Sequence, residues 1–438
     1  MVVTENATGS TLDELDIHSI GRYLEHGYPW EAWDRLRDEA PIYRYERPGI
    51  APFWALTRYA DVRAVGSDNA RFINGGPILR LAGGDHHRLL AESRLKKADR
   101  HGWDPDEVDD MVYLDQPRHT AFRMLVARQF TPARCRRMGD ELASLAQRFV
   151  GEFEAALDAA GGEPVDLVDE LAVKLPLATI CSMMGLPVDR WSDIHRWTDS
   201  MFNTDSMAWA EPGESRRDMR KRLRVQYFDF IEGIIGEKRA NPGDDLTSLL
   251  VHAEVDGQPL TQQQLHGYLT LLIAAGNETT RNATTRGILA LLEHPDQLAV
   301  LEERADDATV ETAVEEVVRW TSPVIQFART ATTDVELHGT TIKAGEIVGL
   351  WYPSANRDER QFDQPYTLDI GRNPNYHLAF GHGQHFCLGA NLARWELRAV
   401  FKAVAPYLKN LRLAGPPKRL ANLHVGAIGE LPVRWVED

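Results

Sequence analysis

The chain has 438 residues, 43% hydrophobic and 26% charged, with 49 basic against 65 acidic side chains and a net charge of −16. That balance excludes a general nucleic-acid binder, which needs a basic footprint, and three cysteines, at 135, 181 and 387, exclude a disulfide framework. The acidic, polar start lacks the layout of a signal peptide, and the longest apolar stretch, Leu269 to Ala275, is far short of the roughly 18 residues of a membrane span. A cytoplasmic protein with no membrane span and no nucleic-acid partner is expected.

In chain order, residues 1–20 are polar enough to be expected as a disordered tail. Ile42–Tyr45 and Phe53–Leu56 read as short strands around a Pro48-Gly49 turn. Asn74 to Asp110 is long, charged and poorly periodic, which suggests a surface excursion acting as a substrate lid. From about 115 to 320 helical spacing dominates, broken at Gly161-Gly162, Pro212-Gly213 and Asn241-Pro242-Gly243. Within it, Arg118 to Arg137 holds six arginines and no acid, so +6 sits there and −22 on the rest.

Thr261-Gln-Gln-Gln264 fits a capping box, and apolar Leu265, Tyr268, Leu269, Leu272 and Ile273 follow at helical spacing. The pattern runs to Leu292, where His294-Pro295 stops it. About thirty residues at 1.5 Å rise give roughly 45 Å, enough to cross the molecule. Glu316 and Arg319 are spaced for an ion pair on one helix face. Strand character returns over Val324–Val348, and an irregular stretch rich in Pro, Asn and Gly runs from Pro353 to Gly389. With no repeat and no dividing linker, the fold class is mainly α with a small β part (α+β), one domain over 1–438.

The most informative stretch is Phe380-Gly-His-Gly-Gln-His-Phe-Cys-Leu-Gly389. Its glycines let the backbone wrap closely around a flat or bulky group, and the strongly helical Ala390–Val400 follows. Cys387 therefore lies at or beside a helix N-terminus, which favours a thiolate, the form that ligates iron. A buried small hydrophobe, a nucleophile with His382 or His385 as base, and a nucleotide loop are the alternatives; the last lacks its third glycine.

This loop resembles the haem-binding loop of the cytochrome P-450 superfamily, with Phe380, Gly381, Gly383, His385, Cys387 and Gly389 at the family's spacing. Upstream, Ala275-Gly-Asn-Glu-Thr-Thr280 resembles the family's oxygen-activation sequence, Glu316-Val-Val-Arg319 its Glu-x-x-Arg pair, and Asp115-Gln-Pro-Arg-His119 with Arg123 its propionate-binding helix start. Ala355-Asn-Arg-Asp358 and Phe327-Ala-Arg-Thr330 also match in order.

The resemblance implies a single-domain P-450 fold with haem b between the long central helix and the cysteine-loop helix, and Cys387 as axial thiolate. It implies propionate contacts from His119, Arg123, Arg329 and His385, and a haem-facing surface at Phe380, Gly381, Gly389, Ala275 and Gly276. Gly276 leaves room for O₂ and allows a local widening of the helix, while Thr279 and Glu278 handle protons as the catalytic pair. Glu316, Arg319 and Arg357 would form a buried structural cluster. Leu272, Ile273, Val324, Ile325 and Phe327 would line an apolar cavity, roofed by the segment holding Met201, Phe202, Met207 and Trp209, for a terpenoid, steroid or fatty acid.

The implied activity is insertion of one oxygen atom from O₂, by a monomer. Electrons would come from a ferredoxin and its reductase, ultimately from NAD(P)H, since the 51 residues after Cys387 hold no cysteine and no reductase motif. Arg128, Arg134 and Arg137 are the expected docking face for an acidic partner. A haem-thiolate enzyme without monooxygenation (isomerase, dehydratase or peroxide-driven) and a non-catalytic haem sensor are the other classes; the Glu278-Thr279 pair favours the first.

Overall fold

The computed structural model describes residues 11–436 apart from 77, 82–91, 93–94, 97, 109 and 204–205, and its axis is the helix Gln262–Glu293. The capping box forms as expected: Thr261 Oγ accepts from Gln264 N (3.1 Å), and Thr261 N donates to Gln264 Oε1 (2.9 Å). This helix is buried on nearly all sides, polar Asn277, Glu278 and Asn282 included, because other helices surround it. Lys174–Met183, Asp307–Thr321 and Ala390–Leu408 pack against it, and Gly139–Ala160 packs on the last of these.

A five-stranded sheet closes one end. Ile347–Trp351 pairs in parallel with Phe53–Leu56 and antiparallel with Gln326–Ala331; Ile42–Tyr45 and Phe72–Ile73 form the edges. The expected 42–45 and 53–56 strands and the β character of 324–348 are therefore present, with His338 and Gly339 at positive φ in the expected turn. The mainly α fold with a small β part is as expected.

One expectation changes, and another falls largely outside the described residues. Residues 11–20 are not a disordered tail: Ile17 and His18 are buried, and the Tyr43 hydroxyl donates to Leu12 O (3.1 Å) and Asp13 Oδ1 (2.7 Å). Leu15 and Ile17 insert into the apolar cluster beneath the sheet, which offsets the polarity of the stretch; residues 1–10 lie outside the described residues. Much of the Asn74–Asp110 excursion also lies outside them. Its C-terminal part is tied to the start of the central helix, where Gln263 Nε2 donates to Asp104 O (3.0 Å) and Gln263 Oε1 accepts from Asp104 N (3.1 Å).

Candidate functional site

A cavity of about 700 Å³ lies between the central helix, the cysteine loop and the sheet. Gly383–His385 forms one 3-10 turn of the loop, and Cys387 N donates to Phe380 O (2.9 Å), closing it like a finger. Gly383 has φ +75°, and a Cβ there would stand 2.2 Å from Gly66 O, so only glycine lets the loop rest on the helix Tyr59–Ser67. Cys387 opens onto the cavity from the first turn leading into Ala390–Leu408. Burial pushes its thiol up, while the Gly389 N–H and the charges of Arg123 and Arg394 pull it down. Coordination to a metal deprotonates a thiol outright, so this donor suits an iron ligand.

Four cationic or imidazole groups converge at one edge of the cavity. His119 and His385 lie ring to ring at 4.1 Å, and Arg123 donates to Phe386 O (2.8 Å). Arg329 is 3% exposed and, apart from Tyr352, bonds only its neighbour's carbonyl, Ala328 O (2.8 Å). Burial, then the nearby positive charge, pushes His119 down to about 4 and His385 down further. His385 Nε2 is buried without a hydrogen-bond partner. Uncompensated cations and an orphaned ring nitrogen fit a group bringing carboxylates, as haem propionates do. Phe380, Gly381, Gly389 and Ala275 line the same cavity.

On the opposite wall, Thr279 faces the cavity and donates to Ala275 O (2.9 Å). Glu278 points away from it. Its carboxylate is buried and pairs with Arg281 (2.7 Å), which in turn faces Asp199 (3.7 Å). Burial raises its pKa to about 7, against the pull of Arg281. The helix runs through Gly276 without the expected widening; Gly276 lines the cavity as expected, and Ile180, which lines it too, stands 3.1 Å from where a Cβ would sit. Glycine here permits two helices to pack closely.

Leu272, Val324 and Phe327 line the cavity, and so do Met201 and Phe202. Ile273 and Ile325 do not. Ile273, one helical step past Leu272, is turned into the helical core; Ile325 precedes the strand at 326, so strand alternation does not reach it, and it packs beneath the sheet. Trp209 instead donates to Asp199 Oδ2 (2.8 Å), and Met207 is exposed.

Behind the loop, Glu316 and Arg319 form a bidentate pair (2.7 and 2.8 Å) at zero exposure, as expected. Arg357 is not the third member. Its guanidinium stacks on Trp320 (4.2 Å) and bonds the Trp320 carbonyl, whereas Arg372 reaches Glu316 Oε2 (3.2 Å). Arg372 arrives from the irregular stretch that Glu316 organises and shares Glu316 Oε2 with Arg319. Asn375 Nδ2 also donates to Glu316 (3.0 Å).

Arg128 and Arg137 are exposed and Arg134 is half-exposed; among the described residues none of the three pairs with an acid. Asn391 donates to Phe130 O (2.9 Å), which fixes this basic stretch beside the start of the cysteine-loop helix. Sequence reasoning missed Arg372, Glu396, Arg80 and His424. Glu396, one helical face on from Cys387, is 2% exposed and reaches the cavity wall.

The family profile Cytochrome P450 matches residues 91–419. The chain is 39% identical over 435 residues to the methyl-branched lipid omega-hydroxylase of Mycobacterium bovis, covering 97% of this chain and 94% of that protein. It is 33% identical over 427 residues to the linalool 8-monooxygenase of Pseudomonas putida, covering 96% and 99%. Its fold matches a Mycobacterium marinum cytochrome P450 in complex with pseudoionone at a TM-score of 0.83 and 33% identity, covering 98% and 100%.

Proposed function

The chain belongs to the cytochrome P450 family, oxygen-incorporating oxidoreductases that carry haem b on a cysteine thiolate, and from that premise we propose that it hydroxylates a lipophilic small molecule of the terpenoid, steroid or fatty-acid kind, with electrons from an acidic ferredoxin and its reductase. The observation that carries this reading is the meeting of Cys387 and Thr279 in one largely apolar cavity. The relatives above, named for a methyl-branched lipid and for linalool, support the substrate class.

Bound haem supplies O₂ binding and the two-electron chemistry that inserts one oxygen atom into the substrate and releases the other as water. The rest falls to the chain. His119, Arg123, Arg329 and His385 would hold its propionates, and Cys387 would supply the thiolate ligand. Apolar side chains such as Leu272 and Phe327 orient the substrate and keep water out. The Thr279 hydroxyl, freed from Ala275 O, donates a hydrogen bond into the cavity. Glu278, whose pKa burial raises to about 7, exchanges a proton readily near neutral pH and passes it on when its carboxyl turns from Arg281 towards Thr279.

With ferredoxin, reductase, NADPH and isotopically labelled O₂, one labelled oxygen atom per product is expected. Thr279→Ala is expected to keep NADPH consumption while product per NADPH falls about tenfold. Unchanged coupling overturns the role of Thr279. No labelled product from any lipophile that binds the haem-loaded enzyme overturns the monooxygenase reading.

A further inference from the structure

Three arginines of the cavity lining, Arg80, Arg220 and Arg224, remain after the haem contacts are assigned. Arg80 lies between Leu79 and Leu81, which are 1% and 3% exposed in the core beneath the sheet. Leu79 O accepts from Ala328 N (2.7 Å), which ties the bend at residues 79–80 to the strand Gln326–Ala331. Arg80, half-buried, lines the cavity wall together with Phe327. Its Nε is buried with no hydrogen-bond partner, and no carboxylate among the described residues pairs with it. Asp110, also in the wall, accepts from Val112 N (2.9 Å). Of the other two, Arg224 is solvent-exposed and needs no counter-ion, and Arg220 is not free of partners.

The position of Arg80 is built. Gln326, at zero exposure, accepts from Leu81 N (3.2 Å) and donates to both Leu81 O (2.8 Å) and Leu423 O (3.2 Å). That one amide ties the segment carrying Arg80 to the segment carrying His424. His424 Nδ1 donates to Gln326 O (2.8 Å), and its ring meets Phe327 at 4.6 Å. Burial and the charge of Arg80 push the imidazole down to about 3, so His424 is neutral and leaves Arg80 the uncompensated charge of this wall. Arg80 is half-buried with its Nε enclosed, and a cation in this wall becomes costly once a lipophile excludes water from the cavity unless that ligand brings an anion.

We propose that Arg80 anchors the substrate, and that the cavity takes a lipophilic molecule with one carboxylate, which pairs with the Arg80 guanidinium while the hydrocarbon body lies along Phe327 and Val425. This rests on the monooxygenase reading and narrows its substrate class from lipophiles in general to lipophilic monocarboxylates. Arginine suits the task because its planar fork matches a carboxylate.

The test uses the haem-loaded enzyme and matched pairs: hexadecanoic acid, farnesoic acid and a steroid carboxylic acid, each against its methyl ester. Dissociation constants come from Soret shifts and from equilibrium dialysis. For every skeleton that binds, the acid is expected to bind about tenfold tighter than the ester. In Arg80→Gln that preference should fall below about twofold with ester affinity unchanged, and Arg80→Lys should keep part of it. The ester is the folding control for each variant. Equal binding of acid and ester by the wild-type enzyme, or an acid preference that survives in Arg80→Gln, overturns the anchor and leaves the monooxygenase reading standing. Binding of neither acids nor esters overturns both.

Discussion

The two sides of the central cavity are built on different principles. On the cysteine side, one contiguous loop is held by its own backbone and by carboxylates behind it: Glu316 by Arg319, Arg372 and Asn375, and Glu315 by Arg394 (2.6 Å) and His377 (3.2 Å). On the substrate side, the wall is assembled from residues 80, 103, 201–202, 272, 324, 327 and 424–425, which are far apart in the chain. The first arrangement fixes one atom, Cys387 Sγ, by local geometry and buried ion pairs. The second fixes a shape, and its members need agree only in polarity and volume. Chemistry common to a family belongs on the first side, and selectivity can change on the second without disturbing it.

The largest effect that would expose this contrast comes from breaking the buried pair. Arg319→Met leaves Glu316 without its bidentate partner and removes donors from Asn356 O (2.8 Å) and Pro365 O (2.9 Å). Destabilisation of about 3–5 kcal/mol is expected, with faster haem release. Met201→Ala, on a side chain facing the cavity, is expected to cost less than about 1 kcal/mol. Denaturant midpoints of the two variants check both numbers, and the reverse ranking would break the comparison.

Legibility in the sequence follows the same division. Cys387, its glycines and Glu316–Arg319 are readable because their spacing within a few residues dictates their geometry. Thr261 and the central helix are readable for the same reason. Arg357 was misassigned and Arg372 missed because the third cation depends on how an irregular stretch folds back on Glu316, which no periodicity records. Ile273 and Ile325 were placed in the cavity because apolar character does not say which way a side chain turns. Arg80 gave no signal, since its place in the wall depends on a bend tied to the strand by Ala328 N and Gln326, which no periodicity records. Glu396, by contrast, was legible in principle. It lies nine residues beyond Cys387 on a helix whose neighbours Leu392, Leu397 and Val400 are apolar, and an acid on such a face is buried.

Glu396 gives a smaller effect at the base of the cavity. Burial raises its pKa to about 8 from an ordinary 4.5, against hydrogen bonds from Thr179 and Thr280. Between those values the folded state holds a proton that the unfolded state has lost, so stability falls as pH rises from about 4.5 to 8. Glu396→Gln keeps a hydrogen-bonding amide and removes the titration. The variant should gain on the parent steadily through that window, by up to about 1.4 kcal/mol per pH unit, and be furthest ahead near pH 8. Parallel stability–pH curves for the two proteins would show that Glu396 is ionised in the fold and that the cavity floor is wetter than its burial implies.

The smallest effect concerns the outer surface of the cysteine side. Arg128 and Arg137 are exposed, so reversing either charge should leave stability within about 0.5 kcal/mol. Their expected work is electrostatic steering of an acidic ferredoxin towards the face where Arg123 bonds Phe386 O, next to the thiolate loop. Arg128→Glu with Arg137→Glu is therefore expected to lower ferredoxin-supported turnover about five- to tenfold at low ionic strength. The deficit should shrink as salt rises, because the screening length drops from about 30 Å at 0.01 M to 3 Å at 1 M. Substrate dissociation constants should not move, since Arg80 and the cavity wall lie on the other side. Turnover unchanged at low salt would remove the docking role. A loss that persists at high salt, or one accompanied by weaker substrate binding, would mean that the two sides of the cavity are mechanically coupled rather than separately built.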